Sequence, residues 1–297
     1  MPMAHRRALV VVVAVASLAV AGPASASFPG ADGTIAYGLL NGGGLYTIDA
    51  DGSNPGVIVP SAPHTYRLAW STWSADGTKL AYVKYQKGKY PSVLQTMDAD
   101  GSNVVTVKRD FSFISGVSWS PSGRRLAFCG APHGGEISLF TVSAGGGLPR
   151  RLSSIMDDNC HPSWSPDGSE ILFTAGGIKA IHPDGTGLRT VIGNAQEPDW
   201  SPDGSHIAFA RYRHGEYDLY TVMKDGTGLT NLTQTPHRAE FAPAYSPTGT
   251  RIVFAKSQSA YPYDYDDLWV MNDDGSGRVR LTDTTDVDEY FPTWQPV

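Results

Sequence analysis

The chain has 297 residues, of which 29 are acidic and 23 basic, for a formal net charge of −6 at pH 7. This acidic balance argues against nucleic acid or an anionic membrane surface as the partner, because both are bound by basic stripes. The length and a hydrophobic content of 41% are sufficient for a well-buried core.

The first 26 residues have the pattern of a secretory signal peptide. Arg6 and Arg7 precede an uncharged run from Ala8 to Ala21, and Ala24-Ser25-Ala26 has the small-x-small form of a cleavage site. The apolar run is too short to span a bilayer comfortably. We therefore expect cleavage after Ala26 and export to the periplasm, cell envelope or external medium, with no stable membrane insertion. A retained membrane anchor is the alternative.

A five-residue phrase, aromatic-Ser-(Pro/Ala)-x-Gly, recurs along the rest of the chain. We call the aromatic residue that begins each copy its repeat aromatic. Successive repeat aromatics are 36 to 49 residues apart, and the last belongs to a degenerate copy that is divided between the two ends of the chain. They are Trp73, Trp119, Trp164, Trp200, Tyr245 and Trp294. Self-similarity at this period is typical of a propeller blade or a solenoid unit.

One repeat shows the predicted elements in order. Residues 198–201, 206–210, 218–223 and 229–233 read as four short strands. Two of the joints between them, Pro-Asp-Gly-Ser at 202–205 and Asp-Gly-Thr-Gly at 225–228, are turn sequences, because proline presets φ and glycine accepts positive φ. Four strands joined in this way form an antiparallel meander, which is the blade of a β-propeller.

The two ends of the chain predict how the ring closes. The first repeat begins inside its turn, at Phe28–Gly33, and lacks an innermost strand, whereas residues 290–297 form that strand alone. Pairing of this C-terminal strand with the first blade would remove two open sheet edges. The sequence therefore predicts an all-β fold, a single six-bladed propeller over residues 27–297 with four-stranded antiparallel blades.

The repeats resemble the TolB-type, WD-repeat-like (PD40) β-propeller family. The resemblance lies in the Trp164-Ser165-Pro166-Asp167-Gly168 turn, the Ile-Ala-Phe strand at 207–209, the Asp-Gly turns and the closing Leu-Thr pairs, and it covers residues 28–297. It implies a propeller fold. TolB carries an additional α/β domain and serves a periplasmic envelope complex, and peptidases with similar propellers carry a hydrolase domain, so the resemblance here is to the propeller alone.

Charged residues cluster before the innermost strands, where the mouth of the central channel is expected. Acids from several connections between blades would form a negative funnel there. Its members are Asp157, Asp158, His161, Glu197, Asp199, Glu240, Asp288 and Glu289. Such a funnel would bind a divalent cation such as calcium, a basic peptide or a polyhydroxylated ligand; the alternative is a solvated loop rim, with His161 as a packing residue.

Tyrosines mark a second candidate surface. They lie in the longest loops between second and third strands, on the face of the disc that we call the long-loop face because it also carries the connections between blades. They are Tyr85, Tyr90, Tyr261, Tyr263 and Tyr265. Tyrosine-rich rims suit contact with proteins or sugars, because the ring supplies area and the hydroxyl supplies direction.

Two cysteines, Cys129 and Cys160, lie at the same end of their strands in neighbouring repeats. In an exported protein they are either a disulfide between blades or two buried thiols.

Motifs of catalysis are missing from the sequence, which has no Gly-x-Ser-x-Gly, His-Glu-x-x-His or Cys-x-x-Cys. We therefore expect a monomeric, exported, non-enzymatic scaffold that binds a protein or peptide through its long-loop face and needs no cofactor. The alternative is a carbohydrate-active lyase or hydrolase, or a metal-dependent ligand binder, working at the acidic channel mouth.

Overall fold

The computed structural model describes residues 27–39, 43–61, 66–86, 89–154, 160–236, 238–258, 265–285 and 287–297. The predicted signal peptide, residues 1–26, lies outside this range. Among the described residues, none belongs to a helix long and apolar enough to cross a membrane.

Twenty-three strands make up the regular structure of the described chain, all paired antiparallel. In chain order they are β1 (Asp32–Leu39), β2 (Leu45–Ile48), β3 (Gly56–Val59), β4 (Tyr66–Trp73), β5 (Lys79–Gln86), β6 (Lys89–Asp98), β7 (Val105–Trp119), β8 (Arg125–Pro132), β9 (Ser138–Ser143), β10 (Arg150–Ser154), β11 (Ser163–Trp164), β12 (Ile171–Thr174), β13 (Gly177–Ile181), β14 (Arg189–Gly193), β15 (Gln196–Trp200), β16 (His206–Arg213), β17 (Glu216–Met223), β18 (Thr230–Asn231), β19 (Glu240–Tyr245), β20 (Arg251–Ser257), β21 (Asp266–Asn272), β22 (Val279–Arg280) and β23 (Glu289–Pro296).

The strands form repeated four-stranded meanders. Four sheets have four strands each, in the orders β23-β1-β2-β3, β11 to β14, β15 to β18 and β19 to β22. A seven-stranded sheet runs from β4 to β10, and its 15-residue strand β7 pairs with β6 through its first half and with β8 through its second. Division of this sheet at β7 gives six four-stranded sets, consistent with the predicted six blades. The all-β propeller fold is confirmed.

Large and small residues alternate along the second strand of most sets, and the two faces of this strand pack against different neighbouring blades. In β16, Ile207 and Phe209 face a core cluster shared with β12 and β13, whereas Ala208 and Ala210 face a cluster shared with β20 and β21. The same division recurs in the other sets, so that six clusters lie between successive pairs of sets around a closed cycle. The Ile-Ala-Phe pattern is therefore explained by packing on two unequal faces.

The C-terminal strand pairs with the first strand, as predicted. Ile35 lies opposite Trp294 and Ala36 opposite Thr293 in the β1–β23 ladder. Trp294 is buried in the cluster that joins this sheet to β20 and β21. The ends of the described chain therefore lie in one sheet.

The recurrent Ser-Pro-Asp-Gly sequence is a structural turn. Asp167 Oδ1 accepts hydrogen bonds from the Ser165 hydroxyl at 2.7 Å and from the Ser169 backbone N–H at 2.9 Å. The Gly168 N–H donates to the Ser165 carbonyl at 2.9 Å, and its φ of 72° suits glycine. The Asp167 carboxylate is thus hydrogen-bonded within its own turn, and the Ser-Pro-Asp-Gly sequence has a structural role in the blade.

Candidate functional site

A bulge interrupts the innermost strand of most blades, three residues before the repeat aromatic. The ladders of β4, β7, β15, β19 and β23 each lose register there. The six residues at this position, which we call the inner ring, line one cavity on the axis of the disc. They are Trp70, Gly116, His161, Glu197, Ala242 and Phe291.

Backbone conformation sets the direction of these side chains. Five members have positive φ, from 47° at Ala242 to 56° at Gly116 and Glu197. This region is sparsely populated by residues other than glycine, and a bulge of this kind re-aims a side chain. The inner ring is therefore produced by the backbone conformation of the innermost strands.

The cavity has a volume of about 110 Å³. Besides the inner ring, its walls include the residues immediately before the repeat aromatics, which are mostly small or hydroxylated. These are Thr72, Ser118, Ser163, Asp199, Ala244 and Thr293. The segment Ser27–Phe28 also lines it.

Aromatic side chains occupy one side of the inner ring. The ring of Phe291 lies 5.3 Å from that of Trp70 and 5.4 Å from that of His161, and Trp70 and His161 are 6.4 Å apart in an edge-to-face arrangement. Trp70 Nε1 and the adjacent Ser71 hydroxyl are buried without a hydrogen-bond partner in the described part of the chain. Buried polar groups normally have such partners, and both residues line the cavity.

Glu197 supplies the carboxylate of the inner ring. Its Oε2 accepts a hydrogen bond from the Ala242 N–H at 2.7 Å, and its Oε1 lies 4.0 Å from His161 Nε2. Burial raises the pKa of Glu197 to about 7; the Ala242 N–H opposes the shift and the charge of Asp266 adds to it. The group is therefore poised between its neutral and charged forms near physiological pH.

Asp199 also lines the cavity and links several parts of the ring. Its Oδ2 accepts hydrogen bonds from the Ser27 hydroxyl at 2.8 Å and from the Tyr245 N–H at 2.9 Å, and its Oδ1 accepts one from the Ser163 hydroxyl at 3.2 Å. Burial raises the pKa of Asp199 to about 6, against these donors. Both carboxylate oxygens are thus engaged in holding strands together.

The structure corrects the predicted eight-residue acidic mouth. His161, Glu197 and Asp199 line the cavity, but Glu240 and Glu289 are buried away from it. Glu240 Oε1 lies 3.0 Å from Lys256 Nζ, and Glu289 accepts hydrogen bonds from the hydroxyls of Thr282 and Thr284 at 2.8 and 3.0 Å. Asp288 is half-buried and is not among the lining residues, whereas Asp157 and Asp158 lie outside the described residues. The described members therefore do not form one acidic funnel.

The predicted tyrosine rim is also placed differently. Tyr85 is half-buried, with its hydroxyl donating to the Ile114 carbonyl and its ring 5.5 Å from that of Trp70, so it supports the inner ring. Tyr265 is half-buried, and its carbonyl accepts a hydrogen bond from the Gln258 N–H. The side chain of Tyr90, and the whole of Tyr261 and Tyr263, lie outside the described residues.

Cys129 and Cys160 form a disulfide, with their Cα atoms 6.0 Å apart. The bond ties β8 to the residue before His161. Gly116 packs against the same segment, and a Cβ there would come within 2.7 Å of the Cys160 carbonyl oxygen. The backbone that carries His161 is therefore held by a covalent bond and by a close contact.

In the described part of the chain, no group of three or more His, Cys, Asp and Glu residues is arranged to hold a metal ion, and the predicted divalent cation stays a prediction.

Trp70 and Phe291 were missed by reasoning from the sequence. Neither lies in a loop, and each looks like an ordinary strand residue. Alignment of the repeats on their aromatics places both at the inner-ring position, together with His161 and Glu197. The position within the repeat was therefore the available signal.

Comparison with known proteins agrees with the fold. Residues 40–181 match the family model described as the TolB beta propeller domain. Among curated proteins, the chain is 28% identical over 204 residues to the uncharacterized peptidase YuxL of Bacillus subtilis, covering 62% of this chain and 28% of that one. It is 33% identical over 101 residues to the Tol-Pal system protein TolB of Alcanivorax borkumensis, covering 34% of this chain and 23% of that one.

A solved structure extends the likeness over most of the chain. TolB from Acinetobacter baumannii matches with a TM-score of 0.72 and 20% identity, over 89% of this chain and 67% of that one. The chain spans only about a quarter of the length of the two curated relatives. The repeats, the ladder register and these matches together show that the chain contains a TolB-type β-propeller.

Proposed function

We propose that the protein is an exported, non-enzymatic β-propeller that binds another protein through its long-loop face, with the inner ring receiving one side chain or one chain end of the partner. The observation that carries this proposal is the convergence of Trp70, His161, Phe291 and Glu197 on one cavity. Aromatic anchors of this kind dominate the energetics of many protein interfaces.

The size of the cavity favours a peptide over a saccharide chain. Pockets for small molecules commonly measure about 300–1,000 Å³, whereas this cavity measures about 110 Å³. Such a volume accommodates a single side chain. A side chain of mixed character fits best, since it would pack on Trp70 and Phe291 and also meet the polar groups of Ser71 and Glu197.

The carboxylates of the cavity favour a binding role over catalysis. Asp199 uses both oxygens to accept hydrogen bonds from the protein, and Glu197 uses one oxygen for the Ala242 N–H. An acid–base pair would need both groups to be available to a substrate.

The relatives supply independent support. TolB is named as a protein of the Tol-Pal system, which favours a protein partner, and the resemblance to TolB together with the predicted signal peptide favours an envelope or periplasmic location.

The test is selection of linear peptides from a random display library on the purified protein. We expect the selected peptides to lose at least tenfold in affinity with Phe291→Ala, because one wall of the cavity is removed. Tyr212→Ala is the matched control, because Tyr212 is an exposed aromatic residue that does not line the cavity. Peptides that bind Phe291→Ala and the parent equally would contradict the assignment of the site, and failure to select any peptide would contradict the function.

A further inference from the structure

The described chain begins inside the central cavity. Ser27 is 8% exposed and Phe28 is 3% exposed, and both line the cavity. From there the chain passes Pro29, which lies among the proline turns on the opposite face, and reaches Ala31, whose N–H donates to the Val297 carbonyl at 2.9 Å. The segment before β1 therefore enters the channel from the turn face.

Ser27 is fixed against a buried acid. Its hydroxyl lies 2.8 Å from Asp199 Oδ2 and 3.1 Å from the Tyr245 carbonyl. The side chain of Phe28 packs in the core cluster that includes Val117 and Trp119, which fixes the direction of the chain at this point.

Asp199 has hydrogen-bond donors but no cation. Within the described residues, no Lys, Arg or His nitrogen forms an ion pair with this carboxylate, and its donors are two hydroxyls and the backbone N–H groups of Tyr245 and Trp200. A buried carboxylate is costly without an opposite charge, and acids in such positions are usually paired. The other ionisable groups on the cavity wall are Glu197, His161 and Tyr245, and Glu197 adds a second negative charge when ionised.

We propose that removal of residues 1–26 completes this site, because the new α-ammonium group of Ser27 forms an ion pair with Asp199. The proposal rests on the predicted cleavage after Ala26. An export peptidase would hydrolyse the Ala26–Ser27 bond: water supplies the hydroxyl to the Ala26 carbonyl and a proton to the Ser27 nitrogen, which takes a second proton from solvent. An α-amine is mostly protonated at neutral pH, since its ordinary pKa is about 7.7–8.0.

Covalent geometry places the new charge within reach. The nitrogen and the hydroxyl of one serine are attached to adjacent carbons, so a hydroxyl hydrogen-bonded to Asp199 keeps the nitrogen close to the same carboxylate. Opposite charges within about 4–6 Å stabilise each other's charged form. Processing would thus anchor the start of the mature chain in the channel and place a positive charge in the cavity of the inner ring.

The first test uses the full-length gene expressed with its own signal in an exporting bacterial host. We expect the intact mass of the exported protein to correspond to a chain beginning at Ser27. Its α-amine should then react with an acetylating ester at pH 7 at least tenfold more slowly in the native state than in urea. Asp199→Asn should restore much of the native-state reactivity. Asp110→Asn, which changes an exposed carboxylate, should not.

A second test moves the ammonium group and leaves Asp199 in place, so its first result does not require the Asp199→Asn variant to fold. One threonine inserted between Ala26 and Ser27 moves the ammonium by one residue, and intact mass verifies where this chain begins. We expect the insertion to lower the urea midpoint of the parent and to have little further effect in Asp199→Asn, since the pair is then already lost.

Three results would each overturn the proposal. They are a mature chain that begins elsewhere, an α-amine that reacts equally fast in the native and unfolded protein, and an insertion that lowers the midpoint equally with and without the aspartate. None of them bears on peptide binding by the inner ring, which the variants of Phe291 test separately.

Discussion

Glu197→Gln should stabilise the protein at alkaline pH and have little effect at pH 5. Burial raises the pKa of Glu197 from 4.5 to about 7. Between pH 4.5 and about 7, Glu197 therefore keeps its proton in the folded protein but loses it in the unfolded chain. The free energy of unfolding falls as the pH rises through this window. Glutamine stays neutral throughout and keeps a carbonyl oxygen to accept the Ala242 N–H.

The size of the effect follows from the shift. A shift of one pKa unit corresponds to about 1.4 kcal/mol, so the move from 4.5 to about 7 corresponds to about 3 kcal/mol in full. Most of this window lies between pH 5 and 8. We therefore expect the free energy of unfolding of the parent to fall by about 2–3 kcal/mol more than that of Glu197→Gln over this range.

Urea unfolding at pH 5, 6, 7 and 8, followed by tryptophan fluorescence, measures both curves. Glu136→Gln is the matched control, because Glu136 is exposed and its contact with Arg151 at 3.4 Å should contribute little. Parallel curves for the parent and Glu197→Gln would refute the reasoning, since they would mean that burial does not penalise the charge.

Three further predictions concern the scaffold. Gly116→Ala should lower the free energy of unfolding by about 2–4 kcal/mol, because φ is 56° and a Cβ would meet the Cys160 carbonyl oxygen at 2.7 Å. Gly134→Ala, with φ 73° and no neighbour within 4 Å, should lose only about 1–2 kcal/mol in the same urea titration. Cys129→Ser opens a loop with a sequence separation of 31 and should cost about 3–4 kcal/mol under non-reducing conditions, with an unchanged midpoint as the contrary result. A chain that ends before Tyr290 should show no cooperative thermal transition by circular dichroism, and a normal transition would contradict closure of the ring through β23.

The fold could be predicted because its signals repeat. Each copy of the aromatic-Ser-Pro phrase indicates a turn, and the alternation in Ile207-Ala208-Phe209 indicates a strand buried on two unequal faces. Agreement between six weak copies is stronger evidence than any one of them. The pairing of β23 with β1 followed from the same alignment.

The site was harder to predict because it depends on departures from the repeat. A strand alternates its side chains with a period of two, and one extra residue reverses which side they face. Glu197 lies three residues before its repeat aromatic and reaches the cavity through a bulge, whereas Glu240 and Glu289 lie five residues before theirs and are buried between strands. All three acids lie near the start of an innermost strand, so their position in the sequence alone could not show which of them lines the cavity.

The inner ring combines a symmetric backbone with unequal side chains. The repeat aromatics are nearly uniform, as packing requires, but the inner-ring position carries a different residue in every blade. Trp70, His161 and Phe291 form an aromatic side, Glu197 supplies charge beside it, and Gly116 contributes no side chain.

Positive φ at residues other than glycine costs about 1–2 kcal/mol at each position. This conformation recurs in the inner ring at Trp70, Glu197, Ala242 and Phe291. The strain accompanies a bulge that turns each of these residues out of the regular strand alternation. The backbone therefore fixes the direction of each inner-ring side chain, so that the proposed partner would meet groups whose positions are set before it binds.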